Sequence, residues 1–432
     1  MRIGIFDHAS GGLGGGPVVA AQMAVQLSRD HEVELIHSGE GYSLSSLAKA
    51  FEVDLSRVRE RVVSNSRESF NLPGQVSTLA YLRDGLRANR KLTESYDLFI
   101  YSGHGVPPFS SARKGLIYCH FPIEGCPGET LGSAEAFKRR SRLSRWMRLA
   151  AYDCLWRYRM SGYQAILANS MFTAHWIKQV WKKEAAVVYP PVSLQVPEVE
   201  KRNVIVSIGR FFPNFKNHRQ QLKAFAKLLG KVGSGWKLNL IGFYKSAPKV
   251  VAYLEELRRM AKDMPVTFVV NAERSEVLRH LAEAKLFWHT AGISDDNETT
   301  APAKMEHFGI ATVEAMLAGC VPLIPANGGQ VEIVEHGLSG YLCRNTEELV
   351  EYSALLVGDQ QLLDEMGRRA VDRGRVFNQT MFSQRLAQVV GECMTGFGGS
   401  MDMRTFGSED CVNSLPKNHF DPAELRWPAR LE

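Results

Sequence analysis

The chain has 432 residues, too many for one ordinary core and suited to two domains of roughly 200 residues each. Its 45% hydrophobic and 23% charged content is that of a globular protein, and a net charge of +6 is too modest at this length to point to nucleic acid. Met1–Phe6 is too short for a leader and is ended by Asp7. The longest apolar stretch, Ala311–Ala326, is broken by Glu314 and two prolines, so neither a signal peptide nor a membrane span is expected. The cysteines are odd in number and form no CxxC pair, which fits free thiols in a reducing cytoplasm, with Cys119, Cys320 and Cys343 in apolar or strand-like runs.

Arg2–Asp7 reads as a buried strand, Ser10–Gly16 as a glycine-rich turn, Pro17–Ser28 as a helix with proline in its first turn, and Glu32–His37 as the next strand. This is the opening βαβ of a Rossmann-like half-domain. The loop GGLGGG does not phase as a dinucleotide fingerprint. With Gly12 and Gly14 in place the third glycine falls at 17, where Pro17 stands, and no acid ends the second strand, so NAD is not expected. Gly15 and Gly16 instead clear space for a donor phosphate or an acceptor. Residues 43–95 are polar and irregular with helical pieces. Asp97–Ser102 and Gly115–His120 are further strands, and His120 falls at a C-terminal strand end, where open parallel sheets collect ligands.

Residues 138–159 gather Lys138, Arg139, Arg140, Arg142, Arg145, Arg148, Arg157 and Arg159 around Trp146, Leu149, Tyr152, Leu155 and Trp156. Two readings fit this stretch. A basic aromatic helix can lie on an anionic membrane surface, or its aromatic stripe can pack on its own domain with the arginines solvated. Gln164–Ser170 reads as a strand into a helix start, with Asn169 or Ser170 as cap. Val187–Val192 closes the first domain and Ser193–Asn203 is the linker.

The second domain restarts at Val204–Gly209. Arg210 and Lys216 follow that strand, and two cations at a strand end can bracket a diphosphate. Asn217–Leu229 is a helix. Lys237–Phe243, Val266–Asn271 and Lys285–Ala291 are strands separated by helices at 248–262 and 274–284. The loop after Val270 lies where the base of a nucleotide would rest. Residues 292–305 are polar and suit a flap, and their Asp295–Asp296 pair reads as a solvated acidic turn, so no metal is expected.

The most informative stretch is Glu306–Glu314, EHFGIATVE. Ile310, Val313, Met316 and Leu317 share one helical face and Gly319 closes the helix, so its N-terminus lies near Gly309. First-turn N–H groups have no intrahelical acceptor, and a glycine there lets a phosphate oxygen approach the backbone. Glu306 in the preceding loop and Glu314 one turn inside can each accept from a vicinal pair of hydroxyls. Beyond it come a turn at Asn327–Gly329, a short helix at Gln330–Glu335, a strand at Gly340–Cys343, and a capping box at Asn345–Glu348. Helices at 346–356, 359–374 and 379–393 follow, then a tail with Pro416, Pro422 and Pro428 and no sustained period.

The run EHFGIATVE, AMLAG and PLIPANGG, with Glu332 in GGQVEIV, resembles the signature of the retaining glycosyltransferases of family 4, and a looser likeness covers residues 2 to 393. The resemblance implies an α/β chain of GT-B architecture, two Rossmann-like domains facing each other across a cleft. The acceptor domain would span 1–195 and the donor domain 203–378. Residues 379–394 would cross back to the first domain, leaving 395–432 as a tail of unknown role. It implies transfer of a hexose from a nucleoside-diphosphate sugar to a glycan or lipid-linked acceptor with retention, without metal or cofactor. Arg210, Lys216 and the helix start from Phe308 and Gly309 through Ile310 to Thr312 would hold the phosphates. Glu306 would orient the donor hexose, Glu314 would hold the ribose, and His120 would contact the sugar. EHFGI, KNHRQQ and YPPV look most like the mannosyltransferases of dolichol-linked oligosaccharide assembly. That favours GDP-mannose over a UDP-hexose and places the chain in the cytoplasm or at the cytoplasmic face of a membrane. A nucleotide-sugar epimerase and a non-catalytic sugar-nucleotide-binding protein are the alternatives.

Overall fold

The computed structural model describes residues 1–8, 14–39, 42–63, 79–122, 142–213, 216–244, 247–293 and 301–395. Most of the glycine-rich loop, residues 138–141 of the basic stretch, residues 294–300 of the polar flap with Asp295–Asp296, and the tail from 396 lie outside the described residues. The chain divides into two compact units. Among the described residues, one is Met1–Pro190 together with Phe382–Thr395, and the other is Pro191–Met381.

The first unit is built on seven parallel strands: β1 (Arg2–Asp7), β2 (Glu32–His37), β3 (Val58–Val62), β4 (Leu98–Gly103), β5 (Lys114–Cys119), β6 (Ala165–Ala168) and β7 (Ala186–Val187). They lie in the order β3-β2-β1-β4-β5-β6-β7. Strands covered on both faces must be apolar throughout, and β4 and β6 are buried at every residue. Helix Gly15–Leu27 packs on β1 and β2 through Val19, Ala20, Met23, Ala24 and Leu27. β3 lies inside the interval read as irregular, as do helices Leu44–Phe51 and Leu79–Thr93. Its sequence VRERV buries Val58 and exposes Arg59 and Glu60, the charged pattern of an edge strand protected against further pairing. Ser170 is the cap of helix Met171–Trp181, accepting from Thr173 N at 3.0 Å. In helix Gln379–Thr395, Phe382, Leu386, Val389, Val390 and Cys393 are buried, and Cys393 Sγ lies 3.9 Å from Gly115 O.

Helix Arg142–Ser161 corrects one reading of the basic stretch. Arg159 is not solvated but buried, with its guanidinium 4.3 Å from the centre of the Phe109 ring. Trp156 packs against Trp181 at 5.7 Å, whereas Tyr158 is 63% exposed.

The second unit carries six parallel strands: β8 (Arg202–Ile208), β9 (Lys237–Gly242), β10 (Val266–Val270), β11 (Ala284–Trp288), β12 (Val321–Pro325) and β13 (Tyr341–Cys343). Their order is β10-β9-β8-β11-β12-β13. Ile205, Phe225, Leu240, Trp288, Val321 and Leu323 form its core, and the Trp288 indole finds its partner in Ser353 Oγ at 3.0 Å. Lys201 donates to Ala284 O and Ala318 O, both at 2.6 Å, placing one cation at the C-terminal ends of helices Arg274–Glu283 and Ile310–Leu317.

Two local expectations are corrected. The short helix expected at Gln330–Glu335 is a 3-10 turn at Gly328–Glu332, entered through Gly328 at φ +69°. The capping box is half formed. Asn345 Oδ1 accepts from Glu348 N at 2.9 Å, but Glu348 Oε2 takes the N–H of Arg344, at 2.8 Å, not that of Asn345. The five described cysteines are free, and Cys154 is exposed while the other four are buried. Among the described residues no helix is long and apolar enough to cross a membrane.

Candidate functional site

In an open parallel sheet the ligand edge is the C-terminal one, at the point where the strand order reverses. In the second unit that point lies between β8 and β11. Just beyond those strands stand Arg210, Lys216 and His289. Gly209 lets the Lys216 stem cross the strand end, since a Cβ there would lie 2.8 Å from Lys216 Cγ. Thr290 Oγ1 donates to Lys216 O at 2.8 Å, and the Asn217 amide donates to Thr290 O and Ile293 O, both at 3.0 Å, which fixes the turn. Lys216 Nζ then donates to Glu306 Oε2, and His289 Nε2 lies 3.1 Å from the same oxygen.

The Glu306 side chain is 23% exposed. Burial pushes its carboxyl up, but the Lys216 charge and the His289 contact outweigh that and hold it well below the ordinary glutamate range. It is therefore an anion at neutral pH. Its second oxygen, Oε1, carries no hydrogen bond among the described residues and is available to a hydroxyl.

The loop carrying Glu306 is pressed against the 3-10 turn. Gly329 N–H donates to Glu306 O at 2.8 Å. A Cβ on Gly328 would meet Glu306 O at 2.4 Å, and one on Gly329 would meet His307 O at 1.9 Å. Gly309 then opens helix Ile310–Leu317 at φ +113°, in the left-handed region, with no side-chain cap and no acid in the first turn. Ile310 is half-buried. Thr312, expected among the phosphate-binding groups, uses both its donors internally. Its N–H goes to Gly309 O at 3.0 Å and its hydroxyl to Gln330 Oε1 at 2.7 Å, which leaves the N–H groups of Ile310 and Ala311 as the first-turn donors. The Phe308 ring is buried against Phe377 at 5.5 Å, which leaves its backbone as the part nearest the helix start.

Glu314 has a partner that the sequence did not announce, Arg274, whose Nη2 lies 2.5 Å from Oε1. Arg274 opens the helix after β10, so the carboxylate expected to hold a ribose is tied to the segment following Val270. Val270 is half-buried at the end of β10, and Asn271 beyond it adopts φ +55°. Asn271 Oδ1 accepts from Tyr244 N, and Asn271 N donates to Gly242 O, both at 2.9 Å, joining the ends of β9 and β10. Arg210 is exposed and makes no ion pair among the described residues. No cluster of three or more His, Cys, Asp or Glu side chains able to hold a metal occurs among them.

The order in the first unit reverses between β1 and β4. His120, 5% exposed, follows β5, with Nε2 3.0 Å from Ser102 Oγ, and its carbonyl accepts from the Asn169 amide at 3.1 Å. A Cβ on Gly16 would stand 3.5 Å from His120 Nε2, so Gly16 and His120 are neighbours. Gly15 is the first residue of helix Gly15–Leu27. Ser102 is in register with Asp7, whose Oδ2 accepts from Tyr42 Oη. Burial pushes the Asp7 carboxyl up to about 7 against the opposing pull of that hydrogen bond.

Residues 193–373 match the family model described as glycosyl transferases group 1. The chain is similar to the GDP-Man:Man(3)GlcNAc(2)-PP-Dol alpha-1,2-mannosyltransferase of Dictyostelium discoideum, at 29% identity over 52% of this chain and 46% of that protein. The enzyme of the same name from Mus musculus is 31% identical over 71% of this chain and 60% of its own length. Alpha-1,3/1,6-mannosyltransferase ALG2 of Homo sapiens is 29% identical over 55% and 58%. The chain thus spans about half the length of the curated relatives it matches. Among solved structures, HepE of Anabaena in complex with UDP and glucose superposes with a TM-score of 0.64 at 17% identity, covering 91% of this chain and all of that one. WaaG, a glycosyltransferase involved in lipopolysaccharide biosynthesis, gives 0.57 at 16% over 92% and 100%. The two parallel-sheet α/β domains are the GT-B fold of these structures.

Proposed function

From the match of residues 193–373 to the group 1 glycosyl transferases, we propose that the chain is a member of that family and transfers a hexose from a nucleoside-diphosphate sugar to a glycan or lipid-linked acceptor. The observation that carries this reading is Glu306. It is an anion held on one oxygen by Lys216 and His289, with the other oxygen open, three residues before a glycine-led helix start. A hexose hydroxyl donates to Oε1, the diphosphate takes the Ile310 and Ala311 N–H groups with Arg210 and Lys216, and a ribose donates to the remaining oxygen of Glu314. The Ile310 and Ala311 N–H groups with Arg210 and Lys216 meet the negative charge that builds as the diphosphate leaves. For the first unit, the sugar role of His120 and the phosphate role of Gly15 and Gly16, the first two residues of helix Gly15–Leu27, rest on the resemblance alone.

The proposal includes retention at the anomeric carbon without metal or cofactor. The bond from C1 to the phosphate oxygen breaks, the acceptor oxygen bonds C1 on the same face, and the acceptor proton passes to the departing diphosphate. The name of the Dictyostelium discoideum relative supports GDP-mannose as donor and a dolichol-diphosphate glycan as acceptor, and the proposal places the chain peripherally at the cytoplasmic face of a membrane, where such an acceptor would be met. The UDP and glucose of HepE support a UDP-hexose as the competing donor.

The test is incubation with GDP-mannose or UDP-glucose and a short-chain lipid-diphosphate oligosaccharide, with chelator present. The expected result is an acceptor heavier by one hexose, released nucleoside diphosphate and an α-anomeric product. A new sugar nucleotide formed without acceptor would replace this reading with an epimerase. No turnover of either donor would leave a non-catalytic binding protein.

A further inference from the structure

We infer that His289 is a positioning residue for Glu306, holding one carboxylate oxygen through Nε2–H in a tautomer dictated by Gln330 and Thr312. The inference rests on the sugar-nucleotide reading of this site and names a residue that the sequence pattern did not single out.

His289 directly follows β11 and is 2% exposed, and its own N–H donates to Leu323 O at 3.1 Å, so the sheet fixes its backbone. Its ring stands between two groups. On one side Gln330 Nε2 lies 3.0 Å from Nδ1, and on the other Nε2 lies 3.1 Å from Glu306 Oε2. Gln330 is fully buried, and its amide oxygen accepts the Thr312 hydroxyl at 2.7 Å. An amide whose oxygen is so engaged presents N–H to the ring, so Nδ1 is the acceptor. A neutral imidazole has one proton, which must then sit on Nε2 and point at Glu306.

The ring is neutral for two physical reasons. Burial removes the water an imidazolium needs, and Lys216 Nζ lies 3.1 Å from Nε2, and these outweigh the pull of Glu306 in the other direction. Lys216 and Glu306 are the charged groups facing the ring. Lys216 alone, at the end of a flexible stem, would leave the carboxylate free to rotate. A second donor fixed in the sheet removes that freedom and keeps Oε1 in one place. The same relay runs from Glu306 through His289 and Gln330 to Thr312, so the carboxylate and the helix start at Gly309 are held as one body.

The test compares His289→Leu with His289→Gln, whose amide can present an N–H near the Nε2 position. His289→Leu should lower kcat for the sugar nucleotide about 30-fold, within the range of lost supporting contacts at ordered sites, while calorimetric affinity for free GDP or UDP stays within about 3-fold. His289→Gln should return kcat to within about 5-fold of the unaltered protein. Equal impairment of both variants, or loss spread evenly over kcat and nucleotide affinity, would assign His289 to folding alone and overturn the inference. Should His289→Leu fail to fold, the nitrogen-15 histidine spectrum of the unaltered protein decides. A neutral Nε2–H ring at neutral pH supports the inference, and an Nδ1–H ring or an imidazolium ends it. If the unaltered protein neither binds GDP or UDP nor turns over a sugar nucleotide, the reading of the site fails and the inference with it. If that protein works and His289→Leu equals it, only the inference fails.

Discussion

Gly329→Ala tests how the loop that carries Glu306 is held. A Cβ at 329 would lie 1.9 Å from His307 O, 2.6 Å from His307 C and 3.1 Å from Phe308 Cα, all of them backbone atoms that cannot rotate aside. The two segments must separate by roughly 1.1 Å before the first contact reaches even 3.0 Å. That separation stretches the Gly329 N–H to Glu306 O bond, now 2.8 Å. Overpacking of this kind costs about 1–3 kcal/mol and the weakened hydrogen bond about 1 more. A loss of about 2–4 kcal/mol in a unit of this size lowers Tm by roughly 5–15 °C. Because the displaced His307 carbonyl directly follows Glu306 in the chain, the carboxylate shifts with it on the scale of an ångström, which costs about 100-fold in turnover. Differential scanning fluorimetry reads the first effect and the transfer assay the second. A variant with Tm within about 1 °C and turnover within about 2-fold would refute the packing argument. Lost stability with full turnover would mean that the 3-10 turn, not the Glu306 loop, yields.

Three further outcomes follow from the same geometry. Glu306→Gln should cut turnover at least ~100-fold and leave nucleoside-diphosphate binding nearly intact, since it removes the anion but not the helix start, and retained activity would take Glu306 out of the site. Arg210→Ala should weaken binding of the free nucleoside diphosphate by about 10-fold or more, measured by calorimetry, and unchanged affinity would remove the clamp. Asp7→Asn concerns pH. With the folded carboxyl pushed up to about 7, the native state holds its proton more tightly than the unfolded chain, so stability falls as pH rises from about 4 to about 7 and then levels. That change amounts to as much as roughly 4 kcal/mol. The asparagine variant cannot ionise, so urea midpoints should show it gaining on the unaltered protein across that window. A difference constant with pH would contradict the buried carboxyl.

Much of the fold was legible because parallel strands buried on both faces are short continuous apolar runs, as β1, β4 and β8 are. β3 was not, because an edge strand reads as charge alternation, and VRERV lacks the apolar run used to recognise the others. At the site, Glu306, Gly309 and Glu314 could be read from one segment because the apolar period locates the helix start at Gly309, with Glu306 just before it and Glu314 one turn inside. Their partners could not. His289 reaches Glu306 from a strand end 17 residues upstream, and Arg274 reaches Glu314 across 40 residues, through the order of strands in the sheet. A signal for His289 did exist, the same strand-end position that singled out His120. The partners of Thr312 and Phe308, Gln330 and Phe377, come from later segments and were likewise out of reach of a local pattern.

The central claim is that the second unit grips a sugar nucleotide through Glu306 and the helix start at Gly309. Calorimetric titration of the intact chain with GDP-mannose, UDP-glucose and ADP-glucose tests it most directly. Saturable binding of one of them at one site per chain, weakened in Arg210→Ala, is the expected result. No heat with any of the three, from a protein that is folded by its melting curve, would contradict it.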